Sequence, residues 1–251
     1  MHFKITLMYN GAKKLLSKII PTQQLQKHEV AIRGIYAAFY SGNKHQCTIC
    51  NKKLRTFLHL PNKDLLCPKC GSLSRDRRLW QLINDDFLKP GYTVLDFSPS
   101  RCLARNMKKV IHITYMPTDL SGNFIADYRF DITQLDLANN SVDRIICYHV
   151  LEHIDADQKA MSELFRVLKP GGKALIQTPF KDGDIYENPA ITTPQDREVH
   201  FGQDDHVRIY SVEGLKERLE NTGFNAAVKT FAADIRKGLA DNETIFLISK
   251  P

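Results

Sequence analysis

The chain reads as an α/β protein, a doubly wound and mostly parallel sheet preceded by a smaller helical and cysteine-rich module. Three observations carry that reading. From Val94 onward, short apolar runs alternate with amphipathic helical stretches, the order that parallel strands and crossover helices produce. Acidic residues close the first runs, Asp96 in TVLDF and Asp119 in TDLSG, and Asp131 opens the loop that follows. Such sheets bind ligands in the crevice outside the carboxyl ends of their strands. Upstream stand two Cys-x2-Cys pairs separated by sixteen residues.

The amino-terminal third is predicted to be helix, metal ribbon and helix. Ile5, Met8, Ala12, Leu15, Leu16 and Ile19 fall at helical spacing over residues 3–19, and Pro21 ends that helix. A second helix is expected over 23–40, with Leu25, Val30, Ile32, Ile35, Tyr36 and Phe39 apolar. The first stripe suits packing on its own domain or against a second copy in a homodimer, with an interfacial membrane anchor as the alternative. Cys47, Cys50, Cys67 and Cys70 have the spacing of two knuckles that bring four thiolates into a tetrahedron, which suits a structural zinc ion. Asn51 and Gly71, just past each pair, suit tight turns. LRTFLHLPNKDLL between the pairs reads as a short hairpin with PNKD as its turn. SRDRRLWQLINDDFL then forms a helix with Leu79, Trp80, Leu82, Ile83 and Phe87 on its apolar face.

The alternation follows: TVLDF, the helix CLARNMKKV, IHITYM, the loop carrying Asp131, RIICYHV, the helix DQKAMSELFRVL, KALIQTP, the helix SVEGLKERLENTG, NAAVKTF and TIFLISK. The expected units are residues 1–43 for the helices, 44–90 for the ribbon and its linking helix, and 91–251 for the sheet domain. The stretch near 180–210 breaks the pattern. It is about thirty residues long, rich in His, Asp, Tyr and Arg, and leaves the sheet at its ligand-binding edge, which predicts a substrate lid.

Composition bounds the compartment and the partners. A hydrophobic content of 43% and a mean hydropathy of −0.32 are ordinary for a soluble globular protein. No uncharged apolar run is long enough to span a bilayer, and Lys4, Lys13, Lys14 and Lys18 interrupt the amino terminus where a signal peptide would be apolar. A cytoplasmic location is therefore expected, which disfavours disulfides among the cysteines. Residues 1–90 carry 16 Lys and Arg against 5 Asp and Glu, whereas residues 91–251 carry 19 against 23. The basic front third admits RNA or an anionic substrate as partner, or a solvated basic surface.

The series TVLDF, TDLSG, FDITQLDLANNSVD, RIICYHVLEHI and VLKPGG resembles the class I S-adenosylmethionine-dependent methyltransferases (type 11-like) over roughly residues 91–250. The resemblance implies a Rossmann-like sheet of seven strands whose last two form an antiparallel hairpin. It implies S-adenosyl-L-methionine as cofactor, held by Asp96, by the turn with Ser98 and Ser100, by Asp119 and Leu120 at the ribose, by Asp131 and Ile132 at the adenine, and by Tyr148 near the sulfonium. Serines stand where the family turn has glycines, so a turn of different shape is expected. CPKCGSLSRDRRLW and FGQDDHVRIY are similar to segments of uncharacterised bacterial methyltransferase-domain proteins, which extends the match to roughly residues 47–210.

Methyl transfer needs an aligned nucleophile and, for many acceptors, a base. His149, leaving the sheet at the crevice, is the leading candidate, with Asp204 and His206 on the lid. His206 and Arg208 are expected to recognise the substrate, or Asp204 and Arg208 to pair and order the loop. Glu152 and His153 are adjacent on a helical turn and so point apart. They suit capping or bracing better than holding a divalent metal. The expected activity is methylation of an oxygen or nitrogen of a polar small molecule or carbohydrate. An RNA methyltransferase and a non-enzymatic zinc scaffold are the rivals.

Overall fold

The computed structural model describes residues 22–83 and 87–251, with side chains from His28 onward. The helix expected over 3–19 lies outside the described residues. Six strands form the main sheet: β5 (Thr93–Phe97), β6 (Thr114–Thr118), β7 (Val142–Tyr148), β8 (Leu168–Gln177), β11 (Asn225–Phe231) and β12 (Glu243–Ser249). Their order is β11-β12-β8-β7-β5-β6, parallel from β8 to β6, with β12 antiparallel to both of its neighbours. The seventh strand that the resemblance implies is reduced to a single parallel bridge between Thr118 and Tyr128. The chain there turns back at once, with Asp127 and Tyr128 both donating to the Pro117 carbonyl.

The central strands are apolar on both faces, so their runs look continuous in sequence. Leu95, Phe97, Ile145, Cys147, Ala174, Ile176, Phe246 and Ile248 face one way. They pack on Ala160, Met161, Leu164 and Val167 of α4 (Asp157–Val167) and on Leu215 and Leu219 of α6 (Val212–Asn221). Ser211 caps α6 by accepting from the Gly214 amide at 3.1 Å.

The opposite face is covered by the cysteine module. Val94, Ile146, Leu175 and Ile245 meet Tyr40, Cys47, Ile49, Leu54, Phe57, Leu79 and Ile83 in one buried cluster. The module consists of β1 (Ser41–Gln46) with β2 (Lys53–Leu54), the expected hairpin β3 (Leu58–His59) with β4 (Leu65–Leu66), and α2 (Ser74–Leu82). α3 (Arg101–Met107) completes that layer through Leu103 and Met107. The preceding helix, α1 (Thr22–Ala38), buries Arg33 and Ala37, while Val30, Ile32 and Ile35 are exposed. Its apolar residues thus largely face outward, because Arg33 on the inner side serves a polar contact described below.

The segment near 180–210 is ordered. β9 (Tyr186–Glu187) pairs with β10 (Arg208–Ile209), and α5 (Pro194–Phe201) lies between them. Thr193 caps α5, Pro194 starts it, and Gly202 ends it at φ 85°.

Candidate active site and metal centres

The four cysteines converge as their spacing predicts. Cys47 Sγ is 3.6 Å from Cys70 Sγ, and Cys50 Sγ is 3.7 Å from Cys67 Sγ. A tetrahedral zinc ion with sulfurs at about 2.3 Å separates them by roughly 3.8 Å. The two knuckles share one backbone plan. The first cysteine amide donates to the carbonyl five residues on, and the amide four residues on donates back, in Cys47–Lys52 and in Cys67–Ser72. The closing residues, Asn51 at φ 54° and Gly71 at φ 79°, take the left-handed angles that such turns demand. The donor set is closed by four protein sulfurs, which fits a structural metal and leaves no coordination position for a substrate.

Arg77 locks this module to the sheet domain. Its side chain is completely buried. It donates to the carbonyls of Ser72, Leu65, Lys237 and Gly238, and its guanidinium lies 4.3 Å from the Phe57 ring centre. Arg78 beside it donates to the carbonyls of Ala232 and Ala240 and lies 3.3 Å from Glu243.

A crevice of about 330 Å³ opens at the carboxyl ends of β5 and β7. Asp96, Ser98, Ser100, Tyr148 and His149 line it, as the sequence places them. Ser98 stands at φ 46°, so this serine adopts the left-handed angle usual for glycine. Asp96 is buried and accepts from the Tyr115 hydroxyl at 2.7 Å. Burial pushes its carboxyl up to about 7, against the opposing Tyr115 hydrogen bond. Burial also pushes the Tyr148 phenol well above its ordinary value.

Asp119 follows β6 directly, with both oxygens engaged. One accepts from Ser98 Oγ at 2.9 Å, the other from Ser121 Oγ at 2.8 Å and the Asn123 amide at 2.9 Å. Burial opposes its charge, but these hydrogen bonds outweigh burial and hold the acid below its ordinary value. Asn123 and Phe124 of the same loop line the crevice, and Leu120 beside them is 55% exposed. Asp131 and Ile132 lie outside its walls. Asp131 is exposed and accepts from the Thr133 amide and hydroxyl, each at 2.8 Å, while Ile132 is buried in the core.

Several lining groups were not singled out from sequence. Glu29 and Arg33 of α1 form one wall, with Gly71, Arg75 and Asp76 of the cysteine module beside them. Glu29 draws in Arg33 at 2.9 Å, Arg105 at 2.9 Å and Arg101 at 3.4 Å, which ties α1 to α3. Burial opposes the Glu29 charge, and the arginines more than compensate. No local signal marks these residues, because α1 reaches the crevice from about seventy positions upstream.

His149 takes φ 55°, and its ring Nδ1 lies 3.1 Å from Glu152 Oε1. Its Nε2 is buried without a hydrogen-bond partner. His149 and Arg75 also line a second cavity, of about 510 Å³, with Asn62, Lys63, Gln177 and Asp241. The tip of the β3–β4 hairpin therefore forms a wall next to the crevice.

The 180–210 segment sits elsewhere. Arg208 is buried and committed to protein: to Glu187 at 2.8 Å and to the carbonyls of Leu151, Ile154 and Asp155. It pairs with Glu187, not with Asp204 as the spacing suggests, because β10 lies directly on β9. Arg218 links Glu187 to Asp157, which also accepts from the Tyr210 hydroxyl. The roughly 940 Å³ cavity beside this network shares no lining residue with the crevice. Asp204 is exposed, whereas His206 is 2% exposed, with burial lowering its pKa.

Known proteins match this architecture. Residues 73–228 match a family model described as a methyltransferase domain. A probable S-adenosylmethionine-dependent methyltransferase of Mycolicibacterium smegmatis is 34% identical over 94 residues, 38% of this chain and 33% of that protein. The sterol 24-C-methyltransferase of Yarrowia lipolytica is 28% identical over 107 residues, 41% of this chain and 27% of that protein. The match thus spans about a third or less of these two relatives. Among solved structures, phosphoethanolamine N-methyltransferase 2 of Haemonchus contortus superposes with a TM-score of 0.51 at 20% identity, covering 70% of this chain and 52% of that one. A SAM-dependent methyltransferase of Archaeoglobus fulgidus does so with a TM-score of 0.51 at 17% identity, covering 70% and 93%. These two share the fold. With the family model spanning more than half of its residues, the chain belongs to the S-adenosylmethionine-dependent methyltransferase domain family.

Proposed function

We propose that the protein transfers a methyl group from S-adenosyl-L-methionine to an oxygen or nitrogen of a polar small molecule or carbohydrate. The observation that carries the reading is His149 standing in the wall shared by two cavities. The crevice at the strand ends suits the cofactor, and the polar second cavity suits the acceptor. When bound, the cofactor supplies an electrophilic methyl group. Asp119 is assigned to the ribose hydroxyls, and the Ser98–Ser100 turn with Arg101 to the amino-acid end. The adenine amine remains assigned to Asp131, although that carboxylate lies outside the crevice walls in this structure.

Glu152 orients His149 through Nδ1, which leaves Nε2 to accept a proton from the acceptor. Lys63, Arg75 and Asp241 offer charges of both signs to a hydroxylated or amino substrate. A structural zinc ion in the four-cysteine cluster holds the hairpin that builds this wall. In this reading the acceptor enters beside the ribbon, and Arg208 acts as a brace for the 180–210 segment. Asp204 and His206, expected from sequence as catalytic, are assigned no proton transfer, since neither lines the crevice.

Titration with S-adenosylhomocysteine tests the cofactor assignment, and a wild-type chain that does not bind it would overturn the reading. Labelled cofactor offered with fractionated metabolites identifies the acceptor. His149→Ala should then reduce turnover by about 100-fold or more while keeping S-adenosylhomocysteine affinity. Unchanged turnover in that variant would remove His149 as the base.

A further inference from the structure

Glu152, His153 and His206 come together from separate parts of the chain. The first two lie in the 3-10 turn after β7, and His206 precedes β10, drawn in by the Val207 amide donating to the Glu152 carbonyl at 2.9 Å. One ligand atom from each of the three lies within 4.8 Å of the others. Adjacency in the turn does not separate Glu152 from His153, because the turn is a single 3-10 coil and His206 closes the gap from the opposite side.

The hydrogen bonding around the cluster leaves two buried acceptor atoms without partners. His206 Nδ1 faces the Phe201 carbonyl at 3.3 Å. A carbonyl only accepts, so Nδ1 carries the proton and Nε2 presents a lone pair. That Nε2 has no hydrogen-bond partner, and neither does Glu152 Oε2. The two residues are 2% and 1% exposed. A carboxylate oxygen and an imine nitrogen cannot satisfy each other, and burial denies them bulk water. Glu152 Oε1 is already used by His149, and His153 Nδ1 lies 3.3 Å from Asp205 at the exposed edge. An acceptor-only set with outer partners on its histidines is the chemistry of a cation site.

We propose that Glu152, His153 and His206 bind one divalent transition-metal ion, distinct from the four-cysteine centre. Two imidazoles and one carboxylate favour zinc, cobalt, iron(II) or manganese over magnesium and calcium, which prefer oxygen ligands. His153 and Asp205 mark the entry side, and solvent supplies the remaining ligands there. The ion joins the 180–210 segment to the turn that carries His149. It also fixes Glu152, so it acts on His149 as a positioning element.

Cobalt(II) titration of the full chain, already loaded with zinc at its cysteines, tests the site. One equivalent should bind, with zinc content unchanged and without the thiolate-to-cobalt charge-transfer band that four sulfurs would give. His153→Ala, at the exposed edge, and Glu152→Gln should each weaken uptake by about 100-fold, and Asp205→Asn by about 10-fold. Circular dichroism identifies the variants that remain folded. Because His153 is partly exposed, its variant keeps the comparison valid if the buried substitution unfolds the chain. No uptake by the wild type, uptake with a thiolate band, or equal uptake by wild type and His153→Ala would each overturn the proposal.

Discussion

Asp119 commits one carboxylate oxygen to Ser98 in the turn after β5 and the other to Ser121 and Asn123 of its own loop. On the proposed assignment of Asp119 to the ribose, the hydroxyls would replace Ser98 or Ser121 while the Asn123 amide keeps the carboxylate in place. Asp119→Ala should weaken S-adenosylhomocysteine binding by about 1.5–3 kcal/mol, the value of a charge-assisted hydrogen bond. Isothermal calorimetry reads this directly, and equal affinity would place the ribose elsewhere. Asp96 poses a different problem. Burial raises its carboxyl to about 7, above the ordinary carboxylate value. Between those two values the native chain keeps a proton that the unfolded chain has released. Its contribution to stability is thus complete at low pH and is lost as pH rises through about 7. Asp96→Asn should remove this slope, seen as a flatter dependence of Tm on pH from 5 to 8. A slope as steep as that of the wild type would assign the effect to another group.

Among the elements, β9, α5 and β10 give regular structure to a stretch whose composition suggests a covering loop, and the proposed reading makes it a brace. The sequence shows its polarity, but polarity alone does not distinguish groups that meet substrate from groups that meet each other. Arg208 illustrates this, since its donors are taken by Glu187 and three carbonyls. Arg208→Ala leaves those acceptors unpaired and should destabilise the protein by about 3–5 kcal/mol while sparing S-adenosylhomocysteine affinity. Thermal unfolding with a ligand titration separates this from a role in recognition, which would leave Tm unchanged. The cysteine ribbon was the more legible element, because Cys-x2-Cys spacing sets its turns locally. Its docking was not legible, because Val94, Ile146 and Leu175 read as ordinary core residues and say nothing of what covers them. On the proposed zinc reading of the cluster, chelator treatment or Cys67→Ser should lower Tm and weaken S-adenosylhomocysteine binding together, since Gly71, Arg75 and Asp76 line the crevice. Loss of metal with both properties unchanged would separate the ribbon from the site.

For the molecule as a whole, the mostly parallel sheet was legible in the alternation of strands and helices, and Asp96 does line the carboxyl-edge crevice. The position of the seventh strand that the resemblance implies could not be read, because only one bridge forms there and the chain at Asp127 and Tyr128 turns back onto Pro117. The α1 wall was equally hidden, since Glu29 meets Arg101 and Arg105 only after folding. Among the described residues no helix is long and apolar enough to cross a membrane.

Arg77 ties the cysteine ribbon to residues about 160 positions later, at Lys237 and Gly238. On a ribosome the ribbon emerges long before that loop is made. Until residues 237 and 238 are made, its arginine has only partners within the ribbon, the Ser72 and Leu65 carbonyls and the Phe57 ring. Gly238 then comes so close to Phe57 that an added Cβ would meet the ring at 2.4 Å. A stretch translated later therefore completes a module made about 160 positions earlier. A nascent chain halted before residue 234 can seat that module on Val94, Ile146 and Leu175 but lacks the two carbonyls that complete the shell around Arg77.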